Sequence, residues 1–333
     1  MDKPVESHNT PALQKISRLL YVSLHGLVTV AVTLACIATV VGFCGRLGWP
    51  FELLSHFKVQ YFLFLSLALV FYLFARSYYH ALIATVFTLA NFAVIVPLYL
   101  PDSPSNTTDR HFRVLVVNFN SRNTSYDRAV RVIQEKNADF LIATEVNRRW
   151  ERELAIHVPS YRFVFGQTRE DDFGIMFLSK KRFRNTRLGS LGIASIPFVM
   201  AELEVNGNTL TIAGMHPLPP VSLYAHRDRE LQMKELAKLV AGISSEVVVA
   251  GDLNMTSWCP IFQDLIGVSG LHDTRRGFGI QATFPTDLPF LLIPIDHCLT
   301  SKGLVTVSHS VGPNIGSDHY PVTVDLAFRN GHR

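Results

Sequence analysis

The sequence predicts an α/β sandwich, two packed β-sheets flanked by helices in four layers, preceded by about three transmembrane helices. Three observations predict it. Long uncharged apolar runs occupy the N-terminal third, many short apolar runs with few helical stretches fill the rest, and acids or amides stand directly after those short runs. The hydrophobic content of 48% and the positive mean hydropathy are high for a soluble chain, and the excess lies at the N-terminus.

Residues 19–44 contain no Asp, Glu, Lys or Arg. At about 1.5 Å of rise per residue this run can cross a hydrocarbon core of about 30 Å. Apolar runs at 59–75 and 77–100 follow, separated by Arg76; the former is short, so a re-entrant hairpin is the alternative to two full spans. A secretory leader fits the first run poorly, because a leader's apolar region is only about 7–15 residues and no small-residue cleavage site follows. Lys3, Lys15 and Arg18 precede the first span and Arg76 lies in the second connection, against Arg46 and Lys58 in the first. That bias puts the N-terminus in the cytoplasm and, with three spans, everything after Leu100 on the other side.

The polar, proline-bearing stretch after Leu100 reads as a linker at 101–110, between an anchor (1–100) and a second domain (111–330). Asn106 and Asn123 each open a glycosylation sequon, a pattern short enough to arise by chance. Residues 111–333 carry 24 Lys and Arg against 22 Asp and Glu, a net of +2 that excludes a broad basic field for duplex DNA. Basic recognition is therefore local, with Arg148-Arg149 and Arg275-Arg276 as candidates beside the plainer reading of solvated surface arginines. The four cysteines form neither a disulfide framework nor a zinc pattern; a Cys259–Cys298 bridge is left open.

Along the second domain, 111–118 (HFRVLVVN) reads as a strand and 126–136 as a helix with Tyr126, Val130 and Ile133 on one face. The apolar run 139–143 closes a βαβ opening, with a short helix near Trp150. Strands are expected at 161–165, 174–178, 198–205 and 210–215, with Asn206-Gly-Asn208 as a hairpin turn. A helix at 223–240 leads into a buried strand at 246–250, and strands follow at 293–300, 304–310 and 322–328. No internal sequence repeat is visible. Trp150 and Trp258 read as packing groups, and Gly174 as a point of close backbone approach.

The strand ends, in order, present Asn118, Glu145, His216, Asp252 with Asn254, Asp296, and Asp318 with His319. Hard oxygen donors such as Glu145 suit Mg²⁺, Mn²⁺ or Ca²⁺ better than a thiolate-seeking metal. Histidines outside any zinc-binding helix pattern suit proton transfer and phosphate contact. Taken singly, an Asp after a strand is more often a turn residue, and His216 could be a hydrogen-bonded core group.

Together the segments around Asn118, Glu145, Gly174 to Ser179, His216, Gly251-Asp-Leu-Asn254, Asp296 and Ser317-Asp-His-Tyr-Pro-Val322 resemble the endonuclease/exonuclease/phosphatase superfamily, over essentially all of 111–330. That superfamily includes DNase I, repair nucleases, inositol polyphosphate phosphatases and neutral sphingomyelinases. The resemblance implies metal-dependent hydrolysis of phosphoesters with Mg²⁺ or Mn²⁺. Glu145 would be the principal metal ligand, with Asn118 beside it and Asp318 supporting metal or water. Asp252 would polarise water oriented by Asn254, His319 would contact phosphate with its tautomer fixed by Asp296, and His216 would protonate the leaving oxygen. Asn120 stands where the family often has Asp, which bears on a second metal position; Asn120, Arg148 and Arg275 are the candidate substrate contacts. Asp273 and the segment Thr283-Phe-Pro285 would shape the site.

Part of the apolar stretch 288–294 directly before Asp296 reads as the buried strand carrying that residue, and the alternative is an apolar lip for a substrate held in a bilayer. The expected partners are the bilayer and a phosphoester, either a lipid head group or nucleic acid, with no obligate protein partner. A catalytically silent scaffold is the third reading. The resemblance implies a bacterial inner-membrane protein whose catalytic domain faces the periplasm.

Overall fold

A computed structural model describes residues 10–101 and 107–330. Four helices open the chain: α1 (Thr10–Phe43), α2 (Trp49–Ser55), α3 (Lys58–Phe74) and α4 (Tyr78–Ile95). Two segments, Leu20–Phe43 and Tyr78–Tyr99, are long and apolar enough to cross a membrane, and α2 with α3 makes a third if the pair, bent by 59°, counts as one span. The three long helices lie side by side. Tyr21 Oη donates to Ala75 O (3.4 Å) and His25 meets Ser77 (3.4 Å), while Lys58 Nζ donates to Thr39 O (3.1 Å) and Asn91 Nδ2 to Thr39 Oγ1 (3.0 Å). The end of α1, the start of α3 and the end of α4 therefore share one level. Leu27, Leu34, Leu67 and Leu89 face outward, as a lipid-contacting surface requires. Lys58, counted in the charge bias, is buried with its ammonium 3.5 Å from the centre of the Phe43 ring rather than exposed in the connection.

The second part contains β1 (Thr107–Asn118), α5 (Tyr126–Lys136), β2 (Phe140–Thr144), α6 (Arg148–His157), β3 (Phe163–Gln167), β4 (Ile175–Ser179), β5 (Phe183–Leu191), β6 (Ile196–Val205) and β7 (Asn208–Met215). There follow α7 (Leu223–Ala241), β8 (Glu246–Asp252), α8 (Pro260–Ser269), β9 (His272–Asp273), β10 (Asp296–Thr300), β11 (Leu304–Val311) and β12 (Val322–Arg329). They form two six-stranded sheets, ordered β11-β12-β1-β2-β4-β3 and β5-β6-β7-β8-β10-β9. In each the central pair, β1 with β2 or β7 with β8, is parallel and every other pair antiparallel. The two halves share this pairing pattern although no sequence repeat marks it.

Alternation along β1 explains the layers. Val114 and Val116 point into the core between the sheets, against Val199, Ile212 and Val248 of the second sheet. Leu115 and Val117 point the other way, onto Val132 and Ile133 of α5 and Trp150 and Leu154 of α6. Met233 and Leu236 of α7 and Phe262 of α8 cover the far face of the second sheet. With both faces buried the central strands read as continuous apolar runs. Each fully buried aliphatic or aromatic side chain contributes about 1.5–3 kcal/mol relative to exposure.

Several expectations need adjusting. The strand expected at 293–300 starts at Asp296, and Pro289–Leu291 is a 3₁₀ turn with Phe290 71% exposed. The expectation that part of 288–294 belongs to the buried strand carrying Asp296 is therefore not met: the strand starts after it, and two prolines deny the stretch ladder donors. β5 and α8 escaped notice, β5 because its outer residues are mostly exposed and carry no apolar alternation. β1 begins at Thr107, inside the expected linker; residues 102–106, with the Asn106 sequon, lie outside the described residues. Asn123 is buried, its amide donating to Ile315 O (3.3 Å) and accepting from Ser125 N (2.8 Å), so the folded domain cannot carry a glycan there. All four cysteines are free thiols.

The N-terminal helices also pack onto the second part. Leu98 O accepts from Gly277 N (2.8 Å) and Gly279 N (2.9 Å), Arg46 pairs with Asp264 (2.6 Å), and Gln60 Nε2 donates to Leu292 O (2.9 Å). These contacts come from the shared level of α1, α3 and α4.

Candidate active site

Parallel neighbours end at the same sheet edge, so β1 with β2 and β7 with β8 deliver their C-terminal residues together. Asn118 pairs in register with Thr144, one residue before Glu145, and Asp252 pairs with Asp296 across the antiparallel β8–β10 ladder. Backbone turns then aim the side chains. Glu145, Asn120 and Asn254 all hold left-handed φ values, 57°, 55° and 52°. For Glu145, with neither glycine's freedom nor asparagine's tolerance, this conformation costs about 1–3 kcal/mol, the kind of strain found at functional sites. Gly251, at φ 145°, brings β8 so close to β7 that an added Cβ would sit 1.9 Å from Met215 O. At Gly174 an added Cβ would lie 1.9 Å from Val146 O, the close approach expected of it, beside the Glu145 turn.

The side chains form one connected cluster. Asn118 Nδ2 donates to Glu145 Oε1 (2.9 Å) and to Asp252 Oδ2 (3.0 Å), while its Oδ1 accepts from Asn120 N (2.9 Å). Glu145 Oε2 accepts from Ser121 N (3.2 Å). His216 Nδ1 donates to Asp252 O (3.2 Å) and its Nε2 faces Glu145 Oε1 at 3.7 Å, with the Phe173 ring packed on the imidazole. His319 Nδ1 donates to Asp296 Oδ2 (2.9 Å), Nε2 lies 3.6 Å from Asp252 Oδ2, and the Phe284 ring covers the imidazole at 4.7 Å. Asn120 Nδ2 donates to Asp318 Oδ1 (2.9 Å). Asn254 N donates to Asp252 Oδ1 (2.9 Å) and its Nδ2 to Pro217 O (2.9 Å).

Burial and charge divide the carboxylates. Desolvation, helped by the Asp296 charge, outweighs the two histidines and pushes Asp252 up to about 6. Asp296 is just as buried, yet the His319 charge and hydrogen bond overcome that burial and hold it below the ordinary carboxylate value. For His319 burial works against protonation, but Asp296 and Asp252 prevail and raise it to about 10. Asp252, Asp296 and His319 are, among the described residues, the one group of acids and histidines close enough to hold a metal, with ligand atoms within 4.8 Å of one another.

The expected substrate contacts divide. Asn120 belongs to the cluster. Arg148 is exposed at the start of α6, where its N–H donates to Glu170 (3.3 Å). Arg275 is fully buried, with Nη1 2.7 Å from His297 Nδ1, Nη2 donating to Asp296 O, and Asp273 nearby at 3.7 Å. The substrate-contact expectation for Arg275 is therefore incorrect: its guanidinium is spent on holding up the strand that carries Asp296. Trp150 stacks on Phe119 (4.2 Å) in the core, as expected of a packing group. Phe284, within the 283–285 segment expected to shape the site, covers His319; unforeseen were Phe173 and a bond from Arg229 Nη1 to Asn254 O. Arg229 in turn pairs with Glu52 of α2. Glu52 is the sole acid from Leu19 to Leu100, a signal the sequence offered.

A two-sheet sandwich whose matched strand ends gather acids, amides and histidines defines a class of hydrolases acting on phosphoester bonds. The chain belongs to the endonuclease/exonuclease/phosphatase family, whose family model matches residues 115–319. Solved structures with the same fold include the endonuclease/exonuclease/phosphatase from Beutenbergia cavernae, with TM-score 0.54 and 18% identity over 66% of this chain and 72% of that one. A family protein from Bacteroides thetaiotaomicron gives TM-score 0.57 and 16% identity over 68% and 98%. TDP2 of D. rerio, complexed with a single-strand DNA product, gives 0.57 and 13% over 66% and 99%. No curated protein matches the chain. Enzymes of this family usually use divalent metals.

Proposed function

We propose that the protein is a membrane-anchored, divalent-metal-dependent hydrolase of phosphoesters, phosphodiesters first among them, acting by attack of water on phosphorus. The observation that carries this reading is the unbroken chain of contacts from Glu145 through Asn118 to Asp252 and on to His319 and Asp296.

The donor set fits Mg²⁺ or Mn²⁺. Each oxygen of Glu145 accepts a single N–H, from Asn118 or Ser121, and so keeps a lone pair for a cation. Glu145, with Asn118 beside it and Asp318 across Asn120, would hold the ion. The tighter triplet of Asp252, Asp296 and His319 suits a proton relay better, because a protonated imidazole bound to Asp296 has no lone pair to offer. A bound divalent ion would supply Lewis-acid neutralisation of charge developing on the phosphoryl oxygens.

The side chains do the rest. Asp252 sits where it can take a proton from water, and its elevated value makes it a competent base near neutrality. Asn254 spends one amide hydrogen on Pro217 and keeps the other, with Oδ1, to orient water or a phosphoryl oxygen. His319, locked by Asp296 through Nδ1, directs Nε2–H toward the phosphate. His216 donates Nδ1–H to the Asp252 carbonyl, so its Nε2, when protonated, serves the leaving oxygen.

For the substrate, a phosphoester carried in the bilayer fits best. Phe290 and Leu288 are exposed on the loop whose Phe284 covers His319, and Gln60, at the start of α3, binds the same loop at Leu292. The Lys and Arg bias supports a catalytic domain on the non-cytoplasmic face, the periplasmic side if the host is bacterial. Nucleic acid is the second reading, favoured by the DNA bound to TDP2 in the complex above. The full-length protein with Mg²⁺ or Mn²⁺, offered phospholipid vesicles, plasmid DNA and bis-p-nitrophenyl phosphate, tests both. Lipid turnover supports the proposal, turnover of plasmid alone favours the nuclease, and inactivity on all three defeats the hydrolase reading.

A further inference from the structure

We infer that Glu52, a residue of the membrane anchor, is a positioning residue of the active site: through Arg229 it holds the turn that carries Asn254 against Asp252. The inference rests on the hydrolase reading for its kinetic consequence but on geometry for its existence.

Glu52 lies on the short helix α2, in the connection between two apolar helices, and is 0% exposed. Its carboxylate is filled entirely by the second part of the chain and by its own helix. Oε1 accepts from Arg229 Nη2 and from Cys259 Sγ (2.9 Å), Oε2 accepts from His226 Nδ1, and His56 Nε2 stands 3.9 Å away. Arg229 is also 0% exposed, and its other terminal nitrogen donates to Asn254 O. From Asn254 the backbone N–H reaches Asp252 Oδ1 at 2.9 Å. Glu52, Arg229, Asn254 and Asp252 thus form a continuous line from the membrane segment to the proposed base. A second bond from the same segment, between His56 Nδ1 and Thr256 Oγ1 (3.1 Å), grips the turn two residues further on.

The physical need for Glu52 follows from Arg229. A guanidinium with no solvent contact requires a counter-charge, and Asp228, next to it in sequence, is engaged elsewhere by the N–H groups of Ile193 and Ala194 and by Gln232. Asn254 tolerates its left-handed backbone, but that tolerance does not fix where the turn sits, and the bond from Arg229 to its carbonyl does. Small errors in such a turn misplace the base and the water it activates, and a displacement of about 1 Å can cost about 10² in rate. The anchor thereby completes the site.

The test uses full-length protein in detergent or nanodiscs, with kcat and KM for bis-p-nitrophenyl phosphate and hydrogen exchange of residues 253–257 as readouts. Glu52→Gln should lower kcat by about tenfold or more with KM within about twofold, and should speed exchange of the turn. The double variant Glu52→Gln/Arg229→Met removes the unpaired buried charge, so it should regain folding while keeping the low kcat and fast exchange. Arg46→Ala, which breaks the exposed ion pair to Asp264, should behave as wild type in both readouts. Wild-type kcat and exchange in the single or the double variant would overturn the inference. If the wild type hydrolyses nothing, the hydrolase reading fails and the exchange rates still decide the brace.

Discussion

His319 Nδ1 lies 2.9 Å from Asp296 Oδ2, and both side chains are buried. This bond selects the imidazole tautomer, raises the proton affinity of His319 and leaves Asp252 as the carboxyl whose charge the site disfavours. The directions of these shifts set the expected pH profile.

In the proposed mechanism Asp252 works ionised, so kcat/KM should rise as pH passes about 6, and His319 works protonated, so it should fall as pH passes about 10. Asp296→Asn removes a charge that lifts His319 and should move the alkaline limb to lower pH. Rates measured across both limbs check this, and an alkaline limb unmoved in Asp296→Asn contradicts the pairing.

Glu145→Ala, Asp252→Ala and His319→Ala should each lower kcat by about 10²-fold or more while circular dichroism stays native. Only the first should also demand a higher Mg²⁺ or Mn²⁺ concentration for half-maximal rate in its residual activity. Near-normal turnover in any two of them removes the assignment.

Gly251→Ala should destabilise by about 2 kcal/mol or more, since the new Cβ meets the Met215 carbonyl and the backbone sits at φ 145°. A thermal melt reads it, and an unchanged midpoint would show that β7 and β8 are not so close.

Residues 107–333 expressed without the N-terminal helices should be less stable than the same domain in the full chain by about 3–5 kcal/mol, because Arg229 loses its buried partner. Adding Arg229→Met to the fragment should recover part of the loss. Chemical denaturation of the two fragments distinguishes this from a passive tether.

In the folded protein a maleimide should modify Cys44 and spare Cys259 and Cys298, which are buried thiols. Burial pushes Cys298 up to about 12, so little thiolate exists near neutrality. Mass spectrometry after labelling should show all cysteines reactive once unfolded; a persistent Cys259–Cys298 bridge would refute the free-thiol state.

The sequence by itself determined the apolar N-terminal runs, the α/β class and the strand-end acids, amides and histidines from Asn118 to His319. These are local: charge-free runs set the long apolar helices, period and run length set strands and helices, and each polar group follows its own apolar run directly. Helix α5 and strand β10 show the limit of such reading. The amphipathic spacing of Tyr126, Val130 and Ile133 located α5 correctly, whereas prolines and an exposed Phe290 turned the apolar residues before Asp296 into a surface loop. Only the tertiary structure decided that Arg275 is a buried support, that Phe284 covers His319, and that Glu52 reaches through Arg229 to Asn254. Glu52 and Arg229 lie 177 residues apart, and a buried charge finds its partner through the packing of whole elements. No local period or spacing encodes that distance, since the cost of leaving either charge unpaired exists only once the fold has excluded water from both.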